Sequence, residues 1–173
     1  SAYYQATGNP KSLSLAKELF DLVEKNTFDS VYGGNIECRA QDWSALSDMR
    51  LSAIDVNSSK SMNTMLHLME AYTALSRVST DQSVEEKLKG ILKTYIKFII
   101  DQNTAHQRLF FDDRWNPLSD HISYGHDIET SWLLMEAAEQ TQDPELVSEA
   151  RSIGVKMAQA VYEQSYGEDG SIL

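Results

Sequence analysis

A chain of 173 residues, 42% of them hydrophobic, is long enough to form one domain, residues 1–173, around a core. Fifteen Lys and Arg against 26 Asp and Glu leave a formal charge of -11, which excludes the clustered basic surface that nucleic acid or an anionic membrane needs; a neutral sugar meets no such barrier. The single cysteine, Cys38, excludes a disulfide framework and a cysteine-based zinc cluster, and no run reaches the roughly 18 apolar residues of a membrane span.

In chain order, the opening Ser1 to Gly8 reads as the end of a helix and its turn. It lacks the basic start and apolar core of an export signal, so the expected compartment is the cytoplasm. The start signal Asn9-Pro10 precedes Leu13, Leu15, Ala16, Leu19, Phe20, Leu22 and Val23, and this three-four spacing predicts an amphipathic helix over 11–25. Residues 28–43, broken by Tyr32-Gly33-Gly34-Asn35, read as an irregular loop with short strands. A helix is expected over 60–78, capped by Ser58 or Ser59, and another over 83–101, where Ser83 and Glu86 have capping-box spacing. The aromatic run before Asn116-Pro117 predicts a short strand or hairpin within 108–118. Two more helices follow, over 125–140 and 144–162, the last with Asp143 as cap and Pro144 in first position. The pattern is stacked helical hairpins, with long loops gathered at one end.

Two helix starts carry chemistry. His126 and Glu129, three apart, share a helical face that Trp132 extends: an imidazole, a carboxylate to orient it and a flat aromatic surface. Asn63, His67 and Glu70 fall at four- and three-residue spacing on a mostly apolar helix, where polar groups need partners. The imidazoles of His67 and His126 are expected to converge on one sugar-sized hollow suited to proton transfer. Trp115 and Trp43 are expected to line a cleft from their loops. His106, after the end of a helix, reads as a solvated group or a local cap. A metal set of His121, His126 and Asp127 lacks the i, i+4 spacing of a zinc helix, and no metal is expected.

The segments Lys60-Ser-Met-Asn-Thr-x-Leu-His-x-x-Glu-Ala-Tyr72 and Ile122-Ser-Tyr-Gly-His-Asp-Ile-Glu-x-Ser-Trp-Leu-Leu134 closely resemble the cellobiose 2-epimerases of the N-acylglucosamine 2-epimerase superfamily. Phe110-Phe111-Asp112 through Trp115 and the Gly33-Gly34 loop match as well. The resemblance implies an all-α fold, part of an (α/α)6 barrel whose long loops carry short β-hairpins at one end. It implies a cofactor-free inversion at C2 of a disaccharide's reducing-end glucose, through a cis-enediolate. On it, His126, His67 and Glu129 are catalytic, and Asn63, Trp132, Trp115 and Tyr124 bind the sugar. It also implies a second acid/base histidine beyond Leu173 and an arginine before Ser1. The 173 residues alone are therefore expected to be inactive and to self-associate through uncovered helix faces. The other readings are an N-acylglucosamine 2-epimerase, an aldose-ketose isomerase and a non-catalytic helical interaction module. A glycoside hydrolase would need opposed carboxylates, which these imidazole-rich motifs do not offer.

Overall fold

The computed structural model describes residues 1–50 and 52–171. Its elements in order are α1 (Ala2–Thr7), α2 (Pro10–Thr27), β1 (Lys60–Ser61), α3 (Met62–Ser76), α4 (Gln82–Thr94), a π-helical turn (Tyr95–Ile99), β2 (Phe110–Phe111), α5 (Tyr124–Glu139) and α6 (Pro144–Gln164). Each long helix starts where a side chain or a proline favours it. Asn9 accepts from the Lys11 amide ahead of Pro10, and Asp143 accepts from the Leu146 amide ahead of Glu145.

Two expected caps move. Ser61, not Ser58 or Ser59, caps α3 by accepting from the Thr64 amide at 3.0 Å, because Lys60 and Ser61 are drawn into a strand. Asp81, not Ser83, caps α4. The helix expected through residue 101 leaves the α form at Thr94, and the Ile100 amide reaches back to the Tyr95 carbonyl five residues away.

The core lies between α3, α4, α5 and α6. Met65, Leu66, Met69, Leu88, Leu92, Leu134 and Met157 are fully enclosed. Helices α5 and α6 come into close contact at Gly154, where an added Cβ would stand 2.3 Å from the Ser131 carbonyl oxygen. Gly154→Ala is therefore expected to cost about 1–3 kcal/mol in equilibrium denaturation, despite alanine's better helix propensity. An unchanged midpoint would show that the two helices can separate freely.

The loops form a second layer at the N-terminal ends of α3 and α5. β1 pairs antiparallel with β2, Lys60 opposite Phe111 and Ser61 opposite Phe110. The Glu37 amide donates to the Ser59 carbonyl at 2.9 Å, and the Leu118 amide to the Phe110 carbonyl at 2.9 Å, so the ribbon gathers four segments. Buried Lys60 locks them together. Its Nζ donates to Asp29 Oδ2 and to the Asp113 carbonyl, each at 2.7 Å, and lies 4.9 Å from the Trp115 ring centroid. Burial alone would raise the Asp29 carboxyl, but the Lys60 ammonium and the Val31 and Tyr32 amides outweigh it and hold it below its usual range. Trp115 stacks on Phe98 at 5.3 Å, donates from Nε1 to the Tyr32 carbonyl at 3.0 Å, and leaves room for Gly34 only as glycine. No described helix is long and apolar enough to cross a membrane.

Candidate functional site

A hollow of ≈ 300 Å³ opens where α3 and α5 begin, between the ribbon and the loop that precedes it. Asn63 and His126, from the two motif helices, stand in its wall with Ser61 and Ser123. The hairpin contributes Leu109 and Phe110. The loop contributes Glu37, Arg50 and Asp55. A volume of this order holds a sugar ring, and a wall mixing an imidazole, an amide, carboxylates and apolar surface suits one.

Each side chain is placed by its element. Asn63 lies in the first turn of α3, fixed by the Ser61 cap and by the Met62 amide donating to the Leu109 carbonyl at 2.8 Å. His126 lies in the first turn of α5. Its Nδ1 meets the Ser123 hydroxyl at 2.7 Å, which leaves Nε2 as the ring nitrogen free to serve the hollow. Among the described residues Glu129 makes no hydrogen bond to His126, so the orienting partner is Ser123 rather than the expected carboxylate. His67 follows Asn63 one turn along α3, outside the lining of the hollow, with its side chain 55% exposed and its Nδ1 3.3 Å from Glu70 Oε2. Glu129 and Trp132 continue along α5, and Trp132 is 52% exposed.

The expected roles of Trp115 and His106 are revised. Trp115 is buried under the Gly33-Gly34 loop against Phe98 and Phe111, so it supports the ribbon instead of facing an open cleft. Tyr124 sets its ring edge-on to His106, with centroids 5.7 Å apart. His106 is neither solvated nor a helix cap. It is buried, with Nδ1 donating to Asp127 Oδ2 at 2.7 Å and Nε2 meeting the Gln164 side chain at 3.1 Å. Asp127 is fully buried and faces away from the hollow, so it cannot join His126 and His121 around a metal.

Asp127 anchors the helix that carries His126. Its Oδ1 accepts from the Gln107 backbone amide at 3.0 Å and from Gln107 Nε2 at 3.1 Å. Gln107 Oε1 in turn accepts from Thr130 at 3.0 Å and from the Tyr95 hydroxyl. The Tyr95 hydroxyl is held well above its ordinary range, first by burial, with the Asp127 and Glu129 charges adding to the effect. Local spacing could not signal this network, since its members come from the π-helical turn, the loop before β2, α5 and α6. Glu37 was missed as well. Its Oε2 is buried in the hollow's wall with no hydrogen-bond partner among the described residues. Arg50, beside it in the lining, is already engaged with Asp48 through bonds of 2.9 and 2.7 Å.

Comparison with known proteins gives this geometry its context. The chain is 40% identical over 172 residues to a cellobiose 2-epimerase of Bacteroides fragilis, covering 99% of this chain and 44% of that protein. It is 37% identical over 173 residues to one of Dictyoglomus turgidum, covering 100% and 44%. The chain thus spans less than half the length of the relatives it matches. Among solved structures it superposes on a cellobiose 2-epimerase from Bacillus thermoamylovorans with a TM-score of 0.91 at 30% identity, covering 98% of this chain and 43% of that one. A sugar epimerase from a ruminal bacterium gives a TM-score of 0.89 at 32% identity, covering 96% and 42%. The helical hairpins are accordingly part of an (α/α)6 barrel. The family model for N-acylglucosamine 2-epimerase (GlcNAc 2-epimerase) matches residues 6–170, and the chain belongs to that family.

Proposed function

We propose that the protein containing this chain inverts C2 of the reducing-end glucose of a β-1,4-linked disaccharide, converting cellobiose to glucosyl-mannose. The observation that carries the reading is the pairing of His126 and Asn63 in one sugar-sized hollow, in a chain similar to cellobiose 2-epimerases. In the proposed reaction the sugar ring opens and His126 Nε2 takes the C2 proton. The C–H electron pair becomes the C1–C2 double bond of a cis-enediolate, and charge moves to the C1 oxygen. Asn63, in the wall of the hollow, polarises that oxygen, and a proton returns to the opposite face of C2. The second acid/base group, on that opposite face, comes from outside these 173 residues. Glu129 supports the imidazolium electrostatically, Trp132 and Tyr124 belong to the sugar-binding end, and Glu37 and Asp55 accept sugar hydroxyls.

The test is product analysis of the full-length protein in deuterated water, with cellobiose, lactose, N-acetylglucosamine and mannose in parallel. Solvent deuterium at C2 of an epimerised disaccharide is the expected result. Epimerisation with the C2 hydrogen retained would overturn the enediolate route, and turnover confined to N-acetylglucosamine would replace the substrate assignment. The 173-residue chain alone exposes Leu15, Leu19, Trp132, Val155 and Tyr162. We propose that it self-associates and is inactive by itself. Light scattering that shows an active monomer would refute both.

A further inference from the structure

Residues 29–48 and residues 101–120 are two builds of one loop and hairpin. They align without a gap, and Asp29, Trp43, Leu46, Ser47 and Asp48 recur as Asp101, Trp115, Leu118, Ser119 and Asp120. The recurrence is sparse in sequence, and the backbone hydrogen bonds give it substance. In each unit the aspartate carbonyl accepts from the amide four residues on, Gly33 at 2.9 Å and Ala105 at 2.8 Å. The aspartate amide donates to the carbonyl of the next residue, Gly34 at 2.8 Å and His106 at 2.9 Å. The chain then crosses back to the last residue of the helical segment before it, from the Ile36 amide to Thr27 at 2.8 Å and from the Arg108 amide to Ile99 at 2.9 Å. Both hairpins close alike, the Ala40 amide on the Ser44 carbonyl and the Asp112 amide on the Asn116 carbonyl. Left-handed backbone recurs at Gly33 and Ala105, and at Trp43 and Trp115, with φ of 66° and 69°. Glu37 and Leu109, equivalent in this register, both line the hollow.

The two tryptophans differ in their surroundings. Trp115 is 5% exposed, and its indole is seated on the loop of the first unit: the ring lies on the Gly34 backbone, and Nε1 donates to the Tyr32 carbonyl at 3.0 Å. Trp43 is 39% exposed and lies outside the lining of the hollow. Among the described residues its ring has no aromatic partner and its Nε1 no acceptor. A left-handed backbone at a bulky residue persists where the surroundings enforce it. Around Trp115 those surroundings are the neighbouring unit; around Trp43 the 173 residues supply no equivalent. Repeated units bury their faces on one another, each on its neighbour. We infer that Trp43 is a docking residue, seated in the full-length protein on the loop of a third unit of the same build, which comes from the part of that protein outside these 173 residues. The Bacteroides fragilis relative, of which this chain covers 44%, has residues enough for such a unit. The seat requires a glycine in the place of Gly34, where an indole leaves no room for a Cβ, and a backbone carbonyl in the place of Tyr32 to accept from Nε1.

The experiment uses the full-length protein labelled with 5-fluorotryptophan, with Trp43→Phe identifying the Trp43 signal. A fluorine resonance moves between ordinary and heavy water when its indole touches solvent. The Trp43 resonance should stay in place, which is the behaviour of a seated ring. Trp43→Ala should lower Tm by about 5 °C or more, as removal of a buried indole does. Trp43→Phe, which keeps a ring in the seat and loses only the Nε1 donor, should fall less. A Trp43 resonance with the full solvent shift overturns the inference. So does a Trp43→Ala protein whose Tm lies within about 1 °C of wild type, the outcome for an exposed side chain. Shielding that disappears on dilution to the monomer would assign the seat to a second copy of the protein and overturn the third unit as its occupant. None of these readouts requires turnover, so the result stands apart from the epimerase reading.

Discussion

His126→Ala is expected to lower kcat for C2 exchange by about 10²–10⁴-fold while leaving the folded protein almost as stable as before. The first half follows from chemistry. Removing a C–H proton next to a carbonyl needs a base in place, and a positioned imidazole contributes roughly that factor. The second half follows from geometry. The side chain lines an open hollow and its one named bond is to Ser123, so its removal creates no sealed cavity. Deuterium wash-in at C2, measured beside thermal denaturation, separates the two effects. Wash-in within a few fold of wild type would remove His126 from the proton path. A collapse of Tm would mean that its role is architectural.

Asp127→Ala should have the reverse profile, a loss of stability of about 3–5 kcal/mol, because three buried donors lose one shared acceptor at about 1–3 kcal/mol each. Without the carboxylate, His106 Nδ1, the Gln107 amide and Gln107 Nε2 lose their acceptor together in a region that water does not reach. The Tm should fall by about 6–20 °C at this chain length. Asp127→Asn, which keeps one acceptor oxygen, should fall less. A cost below about 1 kcal/mol in equilibrium denaturation would show that the network can rearrange, and that α5 is anchored by its apolar face alone.

The contrast between these neighbours, one adjacent to the other in sequence, marks how far the sequence could be read. Periodicity located α2 and α4 because their apolar residues recur at three- and four-residue spacing, while the Tyr124-Gly125 start of α5 and the Asp143-Pro144 start of α6 are local signals. The motifs pointed to His67 and His126 on one hollow; Asn63 and His126 stand in its wall, while His67, one turn further along α3, lies outside its lining. What was not legible depends on partners distant in the chain. His106 looked like a solvated helix-end histidine because nothing nearby explains it; its partners are 21 and 58 residues away. Trp115 looked like a cleft aromatic because it sits on a loop, yet the Gly34 backbone and Phe98 enclose it. Glu37 and Arg50 lie in a stretch without periodicity, where no rule tells which side chains turn inward. Ser123 was hidden differently, since a serine before a helix announces a cap and only coordinates show its hydroxyl directed elsewhere.

The π-helical turn at Tyr95–Ile99 decides where this architecture can gain or lose length. Its wide turn lets one segment send Tyr95 to Gln107 and Thr130 while Phe98 meets Trp115. Deleting a single residue there would rotate one of those aromatics by about 100° relative to the other, and only one destination could be kept. The stretch from 45 to 50, by contrast, bonds largely within itself and to Asn57. Variation in chain length among natural sequences of this kind should therefore gather in that stretch and spare the turn.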